Sequence, residues 1–259
     1  MNGAAATQAH ALELRHLRKR FGNTEIIRDL SMTIRHGERV AIIGPNGAGK
    51  STLFNLISGG TRATSGEVLL DGVQITSKRS FEINRLGLAR SFQISNLFFN
   101  LSVFDNLRCS VLWSMGYRYA FWRRLRHARD ANQRTEEMLE SLGLAHRRAE
   151  LASRLSYAEQ RALEIGMTVA GGARVILLDE PTAGMSRGET AHFTGLLRKL
   201  THGRTLLTVE HDMSVVFNLA DRVAVLAQGE LIAFDTPESI RANALVQQAY
   251  LGTADAELL

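Results

Sequence analysis

A glycine-rich segment of the sequence reads Gly44-Pro45-Asn46-Gly47-Ala48-Gly49-Lys50-Ser51-Thr52. Residues 39–43, which are apolar from Val40 onward, precede it and predict a strand, and residues 50–58 have the spacing of a helix. A strand, a glycine-rich turn and a helix in this order form a phosphate-binding loop, whose backbone N–H groups and helix N-terminus attract phosphate oxygens. In such a loop Lys50 reaches the β- and γ-phosphates of a nucleotide, and Ser51 coordinates Mg²⁺. The whole stretch is therefore predicted to line a nucleotide site.

An acidic motif lies at the end of a later apolar run. Residues 175–178 predict a buried strand, and Asp179 and Glu180 follow it directly. Ligands of open α/β sheets bind at the carboxyl ends of the strands, so both carboxylates are expected beside the nucleotide. Asp179 is the candidate Mg²⁺ ligand, through water, and Glu180 is the candidate to orient or deprotonate an attacking water. A solvated loop glutamate is the alternative for Glu180, and the phosphate loop favours the catalytic interpretation.

A short polar turn precedes this acidic motif and reads Leu155-Ser156-Tyr157-Ala158-Glu159-Gln160-Arg161. By itself, Ser156 with Glu159 predicts a capping box at a helix N-terminus. The turn also resembles the LSGGQ signature of the ATP-binding cassette (ABC) family, with Ala158 where that family usually has glycine. Taken with the phosphate loop and the acidic strand end, it makes the chain similar to ABC ATPases along essentially its whole length.

The resemblance implies an α/β fold: a P-loop NTPase (ABC ATPase) core with a mostly parallel sheet, an antiparallel β subdomain and an inserted α-helical subdomain. The sequence pattern agrees, because strand-like and helical segments alternate after residue 171. Asp71-Gly72 predicts a tight hairpin turn. We expect a single ABC ATPase domain at 11–252, with the core and β subdomain at about 11–92 and 171–235, the helical subdomain at about 93–170, and a C-terminal tail at 236–259.

The resemblance also implies roles for three residues outside these motifs. Gln93 resembles the Q-loop glutamine that senses Mg²⁺ and the attacking water, His211 resembles the switch histidine at the γ-phosphate, and Phe21 resembles the aromatic residue that stacks on adenine. Considered singly, Gln93 could be a polar loop residue, His211 a capped strand end and Phe21 a hydrophobic plug. The implied catalytic set is Glu180, His211, Gln93 and Lys50, and the implied Mg²⁺ set is Ser51, Gln93 and Asp179.

The signature serine of the family works in trans. The resemblance implies that Ser156 and Ala158 bind the γ-phosphate held by a second cassette in a head-to-tail dimer. This role and the capping box can coexist, because one helix N-terminus has several N–H groups to offer an anion. The methyl group of Ala158 is expected to crowd the phosphate and to weaken ATP-driven closure of the dimer.

Composition argues against several classes of protein. No uncharged apolar run approaches the roughly 18 residues that cross a bilayer, and residues 1–10 lack the apolar core of a signal peptide. Cys109 is the single cysteine, so no internal disulfide can form. We therefore expect a cytoplasmic protein that lies on the inner face of the cell membrane through its partners.

Five short stretches are similar to one branch of the family, the ATPase subunits of branched-chain amino-acid importers. They lie at residues 88–93, 163–167, 181–186, 210–213 and 249–252. The resemblance implies ATP and Mg²⁺ as cofactors, with transmembrane permease subunits and a second ABC ATPase subunit, identical or not, as partners. A solute-binding protein is an indirect partner. Related importers of this branch take urea, amides or aromatic acids, so the solute stays open.

Positive charge is concentrated in one segment. The formal charge of the chain is +5, and six arginines with a single aspartate between Arg118 and Arg134 account for that amount. A nucleic-acid partner is therefore not indicated. With Trp113 and Trp122, the segment is predicted either to face the permease or the lipid headgroups, or to bury its aromatic rings in the helical subdomain. The alternative functions are a soluble regulatory or nucleic-acid-associated ABC ATPase and a lipid-export ABC ATPase.

Overall fold

The structure, a computed structural model, describes residues 10–91, 97–117 and 128–251. The strands in these residues are β1 His10–Phe21, β2 Thr24–Arg35, β3 Arg39–Ile43, β4 Ser65–Leu70, β5 Val73–Gln74, β6 Leu88–Ser91, β7 Val175–Asp179, β8 Thr205–Val209, β9 Arg222–Ala227 and β10 Glu230–Asp235. The helices are α1 Lys50–Ile57, α2 Ser80–Arg85, α3 Val103–Ser114, α4 Arg129–Leu142, α5 Tyr157–Ala170, α6 Arg187–Leu200, α7 Met213–Leu219, α8 Pro237–Arg241 and α9 Ala244–Leu251.

The smaller sheet is antiparallel, with the strand order β2-β1-β4-β5. Its β4–β5 hairpin pairs Leu69 with Gln74 around the Asp71-Gly72 turn. Leu12 of β1, Phe54 of α1 and Leu177 of β7 belong to one buried cluster. This sheet therefore shares its core with the helix that follows the phosphate loop.

The larger sheet has the order β10-β9-β3-β8-β7-β6. Every neighbouring pair is parallel except β9 with β10. Both β7 and β8 are buried along their whole length, because helices cover the sheet and leave no polar face. Since β3, β7 and β8 are parallel neighbours, the loops that follow them meet at one edge of the sheet. That edge carries the phosphate loop, Asp179 and His211.

The structure confirms the predicted fold class and most predicted elements. The predicted hairpin is present, α1 ends at Ile57, and β7 extends to include Asp179. The short elements β6, α2, α7, α8 and α9, of four, six, seven, five and eight residues, were not predicted. Elements this short show too few repeats for a periodic pattern, and neighbouring elements stabilise them. Among the described residues, no helix combines the length and apolar character that crossing a bilayer requires.

Candidate functional site

The phosphate-binding loop has a backbone that requires glycine at two points. Gly44 has a φ of 150°, and a Cβ on it would collide with the carbonyl oxygen of Leu226. Gly49, which directly precedes α1, has a φ of 101°, and its Cβ would come within 2.8 Å of Ile27 Cδ1. Glycine adopts positive φ with little steric cost. The loop therefore passes close to its neighbours and leads directly into the N-terminus of α1, where backbone N–H groups favour an anion.

Lys50 places a positive charge inside this loop. Its side chain is buried, and Nζ donates to the carbonyl oxygens of Gly44 at 2.5 Å and Pro45 at 3.1 Å. Both acceptors belong to the loop itself, so the ammonium group is held at the centre of the turn. An ammonium there adds a charge-assisted contact for a phosphate oxygen.

Glu180 begins the loop after β7 and meets His211 from the loop after β8. Glu180 Oε1 lies 2.6 Å from His211 Nε2. The residue has a φ of 47°, in the left-handed region that costs a residue with a side chain about 1–3 kcal/mol. Its amide donates to the carbonyl oxygen of Val209 at 3.0 Å, which holds the bend against β8. A bend of this kind, held by its neighbours, is common at functional sites.

Asp179 is the last residue of β7 and forms a buried ion pair. Arg90 Nη2 donates to Asp179 Oδ2 at 3.0 Å, and the two side chains are 9% and 6% exposed. Mg²⁺ takes oxygen ligands, commonly one or two carboxylates together with substrate phosphates. A carboxylate at the edge of the sheet and the hydroxyl group of Ser51 at the start of α1 have the chemistry that this ion needs.

One cavity of about 370 Å³ joins most of the predicted residues. Residues 46–52 of the phosphate loop line it, together with Phe21, Glu180 and His211. Phe21 is 53% exposed, and Lys19 Nζ lies 4.4 Å from the centre of its ring. An exposed ring at the rim of a phosphate site is suited to stacking on a base.

The predicted capping box at Ser156 is confirmed. Ser156 Oγ accepts from the amide of Glu159 at 3.4 Å, and Glu159 Oε2 accepts from the amide of Ser156 at 2.8 Å. Ser186 and Glu189 form the same arrangement at the start of α6. Neither Ser156 nor Ala158 lines the cavity beside Lys50 in the described part of the chain. The role of Ser156 and Ala158 at another subunit's phosphate stays a prediction.

Family models and relatives show the family of the chain. The sequence model of the ABC transporter family matches residues 27–183, which contain the phosphate loop, Asp179 and Glu180. The chain belongs to the ABC transporter family. A second model, described as a branched-chain amino acid ATP-binding cassette transporter, matches residues 230–256 of this ABC protein. The protein is thus the ATP-binding, ATP-hydrolysing subunit of an ABC transporter.

Similar proteins cover the ABC protein almost completely. It is 36% identical over 252 residues to the high-affinity branched-chain amino acid transport ATP-binding protein LivG of Salmonella typhimurium, covering 94% of this chain and 98% of LivG. It is 35% identical over 253 residues to BraF of Pseudomonas aeruginosa, with the same coverage. The ADP conformation of MJ1267, an ATP-binding cassette of an ABC transporter, superposes with a TM-score of 0.79 at 27% identity, covering 94% and 99% of the two chains.

One predicted site residue cannot be placed, and two residues of the site were not predicted. Gln93 lies outside the described residues. Arg90 and Glu210 were not singled out as site residues. Arg90 pairs with Asp179, which lies far along the chain, so no local pattern pointed to it. The one local signal for Glu210 was its position directly before His211, the predicted switch histidine.

Glu210 links the two loops that carry Glu180 and His211. Thr182 Oγ1 donates to Glu210 Oε1 at 3.0 Å, and Glu210 is 3% exposed. Burial raises the pKa of Glu210 to about 7, although hydrogen bonds from Thr182 and from the amide of His211 lower it in part. Asp212, which also carries a negative charge, raises the pKa further.

This carboxyl group makes stability depend on pH. Glu210 binds its proton more tightly in the folded state than at its ordinary pKa of 4.5, so the stability that Glu210 contributes is fully present below pH 4.5 and is lost as the pH rises through 7. Between about pH 5.5 and pH 8, Glu210 should remove about 2 kcal/mol from the free energy of unfolding. Urea unfolding at the two pH values should show this loss in the wild type and not in Glu210→Gln.

The exposed Glu140 provides the matched control, since Glu140→Gln should keep the wild-type pH dependence. An equal loss of stability in Glu210→Gln and in the wild type would show that another group is responsible.

Proposed function

We propose that this ABC protein is the ATP-hydrolysing subunit of an importer of branched-chain amino acids or related small polar solutes. It would work as one of a pair on the inner face of the cell membrane, with permease subunits and, indirectly, a solute-binding protein. The match of the branch-specific model to residues 230–256 carries the proposal, because the nucleotide site is common to the whole family. The near-complete coverage of LivG and BraF supports it.

The phosphate loop supplies the binding energy for the nucleotide in this proposal. Its N–H groups and the N-terminus of α1 hold phosphate oxygens, and Lys50 turns from the loop carbonyls to the β- and γ-phosphates. Ser51 and Asp179, with Gln93, would hold Mg²⁺, which when bound neutralises charge on the phosphates. Phe21 would stack on the adenine.

Hydrolysis depends on the pair formed by Glu180 and His211. The carboxylate of Glu180 orients the attacking water or takes its proton, and the hydrogen bond to His211 fixes the direction of that carboxylate. When the γ-phosphate is present, His211 has a second acceptor and donates to it. Developing charge on the phosphoryl group is then stabilised by Lys50 and His211.

The signature turn would act on a second subunit. Ser156 and Ala158 stand at the N-terminus of α5, where N–H groups and a hydroxyl group favour an anion. Among the similar structures, MJ0796 bound to ADP and Pi is dimeric, with a TM-score of 0.71 at 26% identity. We place the γ-phosphate of the other subunit at Ser156, so that ATP binding joins the two cassettes.

The permease is expected to contact a groove beside β6. The groove has a volume of about 310 Å³, and Phe98, Trp113 and Glu164 are among the residues that line it. Trp113 is 40% exposed, and aromatic residues are enriched in protein interfaces. The groove lies between the ATP core and α3 and α5 of the helical subdomain proposed at about 93–170. Trp122 and the arginines between residues 118 and 127, which formed part of the predicted permease surface, lie outside the described residues.

Isolation of the chain from its native membrane, with identification of the bound proteins, tests the proposal. We expect permease subunits and a second ATPase subunit, and uptake of labelled leucine by the same cells should be lost when Glu180→Gln replaces the wild type. Uptake of urea and of an aromatic acid by the same cells is compared with uptake of leucine to identify the solute. A chain that instead binds DNA or RNA with a steep salt dependence, or that accompanies a lipid exporter, would contradict the proposal.

A further inference from the structure

Arg90 joins three elements beside Asp179. It lies on β6, and its Nη1 donates to Asn55 Oδ1 at 2.6 Å and to Ser58 Oγ at 3.2 Å, both at the C-terminal end of α1. Its Nη2 donates to Asp179 Oδ2, and its guanidinium carbon lies 5.5 Å from the centre of the Phe54 ring. Contacts on several sides hold the guanidinium group in one orientation.

The positive charge of Arg90 lies where it repels a second cation. The guanidinium group bonds directly to one oxygen of Asp179, the carboxylate proposed to hold Mg²⁺, and both side chains are at least nine-tenths buried. In a poorly solvated site, charges separated by a few ångströms interact strongly. A divalent cation that approached Asp179 alone would be repelled by Arg90. Nucleotide phosphates bring several negative charges and reverse that balance.

We infer that Arg90 is the resident counter-ion of Asp179 and makes metal binding at this carboxylate depend on nucleotide. Arg90 keeps the buried carboxylate compensated and oriented before the nucleotide binds. A metal ion is then held only together with the phosphates, as one Mg²⁺–nucleotide complex. The inference rests on the proposed role of Asp179 as a metal ligand.

Binding of Mn²⁺ to the nucleotide-free protein, measured by electron paramagnetic resonance, tests the inference. Arg90→Gln and Arg90→Met should each bind one Mn²⁺ at least about tenfold more tightly than the wild type, because a repelling charge is removed. Arg90→Lys keeps the charge and should behave like the wild type. Adding Asp179→Asn to Arg90→Gln should abolish the gained affinity.

The controls separate this inference from the proposed function. Arg85→Gln, at an exposed arginine of α2, should leave Mn²⁺ binding unchanged. Equal Mn²⁺ affinity in the wild type and in a folded Arg90→Gln or Arg90→Met would overturn the inference. If both variants fail to fold, Mn²⁺ binding to the wild type without nucleotide is the test. Binding of Mn²⁺ by the wild type, together with its loss in Asp179→Asn, would also overturn the inference. Failure of the wild type to bind Mn²⁺ in the presence of ATP would instead contradict the proposed metal site.

Discussion

Glu180→Gln is expected to bind ATP with nearly unchanged affinity and to hydrolyse it at least about 100-fold more slowly. Glutamine keeps the shape of the side chain and can still bond to His211, which lies 2.6 Å from Glu180 Oε1. It cannot accept a proton, so the attacking water loses its base. Single-turnover hydrolysis of Mg²⁺-ATP measures the loss, with Glu140→Gln as the control on an exposed glutamate.

The same variant should accumulate as an ATP-bound dimer. If Ser156 of one subunit binds the γ-phosphate held by the other, unhydrolysed ATP keeps the two subunits together. Light scattering with and without ATP measures this effect. A Glu180→Gln protein that hydrolyses ATP at half the wild-type rate would remove Glu180 from the chemistry, whereas a slow variant that stays monomeric with ATP would contradict the site shared between subunits.

Lys50→Ala is expected to weaken ATP binding about 10-fold to 100-fold and to abolish measurable turnover. A charge-assisted hydrogen bond contributes about 1.5–3 kcal/mol, and Lys50 supplies the positive charge inside the loop. Binding of a fluorescent ATP analogue measures the affinity, and Lys199→Ala, on the exposed face of α6, is the control.

The fold of the Lys50 variant must be checked separately, since Nζ donates to Gly44 and Pro45. Thermal unfolding should show a native transition in Lys50→Ala. A natively folded variant that binds and hydrolyses ATP as the wild type does would place the phosphates elsewhere.

The sequence predicted the elements that carry strong local signals. The phosphate loop, β7 and the α5 capping box each depend on residues close together in the chain, and glycine at Gly44 and Gly49 is required by their backbone. The polar contacts that complete the site were not predictable in this way. Arg90 meets Asp179, and Thr182 meets Glu210, only because β6, β7 and β8 are neighbours in the folded sheet.

Ser156 has one predicted role that depends on a nearby residue and one that depends on a second subunit. Its capping role needs only Glu159, three residues away, and the structure confirms it. Its proposed phosphate contact needs a second subunit, and in one chain Ser156 is not among the residues that line the cavity beside Lys50. The contact of Ser156 with the phosphate of a second subunit therefore stays a prediction.

Cross-linking between two single-cysteine proteins tests whether Ser156 of one subunit lies beside the nucleotide of the other. In a Cys109→Ser, Glu180→Gln background, one protein carries Ser156→Cys and the other Asn46→Cys, at a residue that lines the nucleotide cavity. With a short bis-maleimide, we expect a covalent heterodimer that forms in the presence of ATP and is nearly absent without it. A heterodimer that never forms, or that forms equally without ATP, would contradict a nucleotide site shared between two subunits.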